Sequence, residues 1–184
     1  MQYIRYHEME ALLKAYKDMQ GVIMSLKREL GEAMEGVDKN DIDDAILSMA
    51  LQHSTPDDIP GHSTGSITDK TANIAISYQK RLEDEHKALI DELTKELILL
   101  KLISDKLEIG LSSLSETQKN IIEAKYFQKL DWYAVVDKLA EANIFLSKYQ
   151  AQNIRREAIE RLIRITRITI GQYEQVMKLI NLKG

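Results

Sequence analysis

The chain has no cysteine, only two prolines and two phenylalanines, and few glycines for 184 residues. Without cysteine there is no disulfide framework, no thiolate metal site and no cysteine nucleophile, which suits a reducing cytosol. Scarce Pro and Gly, set against abundant Leu, Ile, Glu and Lys, argue for helices and against a turn-rich sheet fold. No apolar run approaches the roughly 20 residues a bilayer span needs, and the stretch from Met1 to Arg5 lacks a signal-peptide core. The expectation is therefore an all-α, cytoplasmic protein with no membrane partner.

Catalytic patterns are just as sparse. The four histidines (His7, His53, His62, His86) show no paired metal spacing. Gly61-His62-Ser63-Thr64-Gly65 lacks the Lys-Ser/Thr that completes a phosphate loop. Asp38-Lys39-Asn40-Asp41-Ile42 starts like a calcium loop but lacks its third ligand, central Gly and closing Glu. Glu29-x-x-Glu32 followed by Asp41-x-x-Asp44 could gather carboxylates around magnesium, as in all-α nucleotide pyrophosphohydrolases, yet acids at helix ends produce the same pattern. No enzyme activity, metal or cofactor is expected.

What is present is periodicity and a lopsided charge. Met9, Leu12, Tyr16, Met19, Ile23, Leu26, Leu30 and Ala33 recur every three or four residues, the stripe of an amphipathic helix from Arg5 to Ala33. Gly31 and Gly36 bracket its expected end. Asn40 is a candidate cap for a short second helix. Residues 53–68, with Pro56, Pro60, Gly61 and Gly65, read as a loop and the main boundary. A long helix is expected from a Thr68 cap to Gly110, with Leu82, Leu89, Leu93, Leu97, Leu100, Ile103 and Leu107 on one stripe. Nothing that long stands alone, so it should pair with the first helix, with a second subunit, or with both.

Beyond it come three capped helices. Ser115 with Gln118 forms a capping box, Asp131 caps the next segment through Trp132 and Leu139, and Ser147 opens the last. Residues 148–184 hold eight bases and three acids, a net +5, which leaves −9 on the first 147 residues of a chain whose total is −4. A basic end on an acidic body is the asymmetry of a DNA-contacting module joined to an assembling one. Ala151, Ile154, Ala158 and Leu162 offer an inner face to the Ser147 helix, and Lys148, Tyr149, Gln152, Asn153, Arg155 and Arg156 an outer one. Gln152, Arg155, Lys148 and Tyr149 are the candidates for base edges; Arg156, Arg161 and Arg164 are those for phosphates. Trp132, Tyr126 and Phe127 read as core. From Ile163 to Ile170, β-branched residues would suit a short strand, but with no partner in view a helix continuing past Gly171 is preferred.

Leu114-Ser115-Glu116-x-Gln118, Ile121-Ile122, Lys125-Tyr126, Asp131-Trp132 and Ser147 leading to Arg155-Arg156-x-Ala158-Ile159 resemble the sigma-70 region 4 type of helix-turn-helix. Thr68-Asp69-Lys70-Thr71-Ala72-Asn73-Ile74-Ala75 and the helix that follows resemble phage transcriptional regulators of the ArpU/RinA type. Together the similarity spans roughly residues 66–166. It implies double-stranded DNA binding and control of transcription by a phage or prophage protein, with RNA polymerase as a candidate partner. One departure stands out: eight positions separate Leu139 from Ser147, which calls for a longer crossing helix or an enlarged turn.

The expected organisation is an N-terminal helical segment and loop (1–65), a connecting and oligomerisation helix (66–112), long helices paired as a hairpin or coiled coil, and a three-helix DNA-binding domain (113–184). A homo-oligomer is expected, a dimer first. The alternatives are a DNA-packaging recognition subunit resembling a small terminase and a helical scaffold that binds no DNA.

Overall fold

Helix α1 runs Tyr6–Met34. Its three- and four-residue apolar spacing buries Met9, Leu12, Leu13, Met19, Val22, Ile23 and Leu26 on one side. The protein is described here by a computed structural model that covers residues 2–35 and 66–183. The Asn40 helix, the calcium-like stretch, Asp41-x-x-Asp44 and the loop up to residue 65 all lie outside the described residues.

Helix α2 (Ser66–Ser112) begins before Thr68, which therefore lies inside the helix rather than capping it. It also does not stop at Gly110. That glycine is buried, and a Cβ built on it would sit 2.9 Å from Leu162 Cδ2 and 3.0 Å from Thr166 Cγ2. Gly110 is needed because two helices meet there, and α2 continues until Ser112 and Ser113 donate their hydroxyls to Ile109 and Gly110 carbonyls (2.8 and 2.6 Å). Those side chains satisfy carbonyls that a helix end leaves open.

Three shorter helices follow: α3 (Glu116–Ile122), α4 (Trp132–Glu141) and α5 (Lys148–Thr166). Each starts on the side chain expected of it. Ser115 and Ser147 make reciprocal capping boxes with Gln118 and Gln150, and Asp131 accepts from the Tyr133 and Ala134 N–H groups. Those two donors hold the Asp131 carboxyl below its usual range. Between α3 and α4, Glu123–Phe127 winds into a π-helical turn closed by the Gln128 N–H on the Glu123 carbonyl. Ile121, Ala124, Val135, Leu139 and Ala151 form the core these elements share, with Trp132, Ile144, Leu146 and Ile154 packed around it.

The last helix of the expected plan is in fact two. Arg167, with φ of 46°, ends α5 in the left-handed region, and α6 (Ile170–Lys183) starts on a third reciprocal box, Thr169 with Gln172. The β-branched stretch does have a partner: Tyr3 and Thr169 form an antiparallel bridge, with Ile4 N–H on the Ile168 carbonyl and Ile170 N–H on the Gln2 carbonyl, both 3.0 Å.

One compact unit comprises residues 1–27 and 95–184, the other residues 28–94. Within the first, α1 and the end of α2 are tied by Gln20 Nε2 donating to Ser104 Oγ (2.7 Å) and Tyr16 hydroxyl donating to Glu108 (3.1 Å). The α3–α5 segment therefore shares one unit with residues 1–27. Among the described residues no helix is long and apolar enough to cross a membrane.

Candidate nucleic-acid interface

The site is built by three helices whose starts are fixed by caps. The spacing from Leu139 to Ser147 resolves into an enlarged turn rather than a longer helix. Asn143 takes φ of 59°, its N–H bonds the Ala140 carbonyl (3.0 Å), and Ile144 N–H bonds the Leu139 carbonyl (2.8 Å). This is a Schellman ending, with Ile144 seated on the core beside Leu139. Residues 145–147 then carry the chain to the start of α5, leaving Phe145 exposed.

At that start the first turns of α4 and α5 come together. Lys148 Nζ lies 4.8 Å from the centre of the Tyr133 ring, and both Tyr133 and Tyr149 are exposed. Tyr133 was not among the sequence candidates. The signal was available, since it occupies the second position of a helix whose capping Asp131 was legible.

At about 100° per residue, Tyr149, Gln152, Asn153 and Arg156 fall within a sector of roughly 100° on α5. Tyr149 and Arg156 are exposed, Gln152 and Asn153 half-buried. Arg164 is exposed and lies close to that sector's edge, two turns on. Arg161, also exposed, is about 140° away from Arg156, beyond Arg164 on the same side. Glu160 lies one turn below Arg156, and Glu157 beside it, so the positive stretch ends after two turns.

Arg155 departs from the expectation altogether. Its NH1 lies 3.1 Å from Glu10 Oε1 on α1, with both side chains 21% exposed. The guanidinium also stacks 5.3 Å from the Trp132 ring and 5.8 Å from the Tyr6 ring, and its Nε is buried without an acceptor. Glu10 accepts a second hydrogen bond, 2.5 Å, from the Tyr126 hydroxyl. Burial, and next that bond to a carboxylate, push the Tyr126 pKa far above its ordinary value. Arg155 thus lies as a brace between α1 and α5 rather than on the outer face. Sequence register alone points there, because it stands four after Ala151, three before Ala158 and seven before Leu162, all fully buried.

Tyr126 and Trp132 serve as core, as expected, and Phe127 stacks on Tyr16 with centroids 5.1 Å apart. A family model described as "Protein of unknown function (DUF722)" matches residues 23–164. The chain belongs to the DUF722 family. The DUF722 match takes in α2, α3, α4 and nearly all of α5, while Glu10 and α6 fall outside it. No curated protein and no solved structure matches the chain.

Proposed function

We propose that this DUF722 protein is a sequence-specific DNA-binding regulator that reads duplex DNA through a helix-turn-helix made of α3 with its π-helical turn, α4 and α5. The observation that carries the reading is the convergence of the α4 and α5 N-termini at Tyr133, Lys148 and Tyr149. A helix-turn-helix needs that convergence, because one helix start grips the backbone while the other enters the major groove. Helix N-termini also present partial positive charge to phosphates. On this reading Tyr149, Gln152 and Asn153 meet base edges, and Lys148, Arg156 and Arg164 neutralise phosphates. Control of transcription, and RNA polymerase as a partner, rest on the resemblance to ArpU/RinA-type regulators.

The test uses the full chain, because α1 braces the reading helix. Selection from a random duplex pool supplies the sequence, and anisotropy measures affinity against salt. Lys148→Ala should flatten the slope of log K against log salt by about 0.9 and weaken all duplexes alike. Gln152→Ala should cost about 1–3 kcal/mol on the selected duplex and relax preference at one position. Binding that ignores salt, or no binding to any duplex, would overturn the proposal.

A further inference from the structure

Helix α2 has a second apolar seam that the described residues leave open. Ile98, Leu102 and Ile109 are 62%, 43% and 63% exposed, while Leu100, Ile103 and Leu107 on the opposite side are fully buried. At about 100° per residue the three exposed side chains fall within roughly 40° of one another. Their spacing, with Asp105 in the fourth seat, is the four-three-four rhythm of a helix-pairing seam. Large apolar side chains in register on a solvent face mark a surface made to be covered.

We propose that this seam pairs with the same seam of a second copy, antiparallel, about a two-fold axis level with Ile103 and Ser104. Charge selects the copy and its direction. In that arrangement Ile98 of one copy is level with Ile109 of the other, and the two Leu102 side chains meet beside the axis. Same-side flanks face each other, so Lys101 of each copy lies beside Asp105 of the other. Both residues are exposed, and among the described residues neither has an ion pair within its own chain. A parallel pair would set Asp105 level with Asp105 and carry Lys101 away from it, whereas the antiparallel pair keeps a Lys101 beside each Asp105. The pairing presents two reading helices related by a two-fold axis, the symmetry of a palindromic site. It does not depend on DNA binding, and either proposal can fail without the other.

The cysteine-free chain makes the geometry directly readable. By sedimentation, the full chain should have twice its 21.1 kDa mass, and Leu102→Glu should halve that value with helical circular dichroism retained. Under mild oxidation Leu102→Cys should cross-link to itself. Ile98→Cys alone should not, because its symmetry mate is about 16 Å away along the axis, beyond a disulfide's reach. The double variant Ile98→Cys/Ile109→Cys should cross-link. A monomeric full chain, a dimer indifferent to Leu102→Glu, or self-cross-linking of Ile98→Cys each overturns the proposal.

Discussion

Along α2, the charged and polar pairs described for Arg81 and Gln79 in residues 76–94 are local, whereas residues 95–112 are tied to positions far away in the chain. In the first stretch Arg81 meets Glu85 at 3.0 Å and Gln79 meets Glu83 at 3.4 Å, each within one helical turn. In the second, Ser104 and Glu108 accept from Gln20 and Tyr16 across 84 and 92 residues, and Glu96 meets Lys183 at 3.0 Å. The leucine rhythm runs through both, yet Leu89 is half-exposed and Leu82 only half-buried, while Leu100 and Leu107 are sealed. Periodicity names the face of a helix that can be buried; the number of partners decides how completely it is.

The sharpest way to break this contrast is to shorten one leucine in each stretch. Leu107→Ala should cost about 2–5 kcal/mol by denaturant unfolding, as a sealed core leucine does, and Leu89→Ala under about 1 kcal/mol. Equal losses would show that the two halves are supported alike. Gly110→Ala comes next: its new Cβ must displace Leu162 and Thr166, at an expected cost of about 1–3 kcal/mol. A stabilised variant would mean the helices part there without cost.

Titration gives a third and smaller handle on the long-range half. Tyr6, Tyr16, Tyr126 and Tyr173 all have raised pKa values, with burial the first cause in each. Above pH 10, their ordinary value, the unfolded chain releases these protons while the folded chain keeps them. Stability is therefore complete below pH 10 and falls as pH rises beyond it. Tyr126→Phe should flatten that alkaline fall in thermal unfolding; an unchanged fall would assign it to other groups. The smallest effect belongs to the local half. Arg81→Ala should change stability by less than about 0.5 kcal/mol, because an exposed pair one turn apart contributes little.

Much of the fold was legible because capping is local chemistry. Ser115, Asp131 and Ser147 each announce a helix within four residues, and the structure uses all three. Gly110 misled because glycine serves both helix ends and close helix contacts, and only the distant residues Leu162 and Thr166 distinguish them. The β-branched run at 163–170 carried a true signal for its last residues, but its partner is Tyr3, beyond the reach of any local pattern. In the site, the outer residues Tyr149 and Arg156 were readable from register. Arg155 was placed on the outer face by residue type against register, whereas it is half-buried beside Glu10, Tyr6 and Trp132.

The bridge between Tyr3 and Thr169 has a consequence for biosynthesis. Translation delivers Gln2–Ile4 some 160 residues ahead of the segment that receives them. Throughout that interval Gln2–Ile4 has no bridge partner, and distant closures of this kind are slow to form. A ribosome paused before Ile168 is added would therefore hold a chain whose Gln2–Ile4 stretch still awaits its mate, and chaperone capture of that nascent chain should end once the Thr169 region clears the exit tunnel.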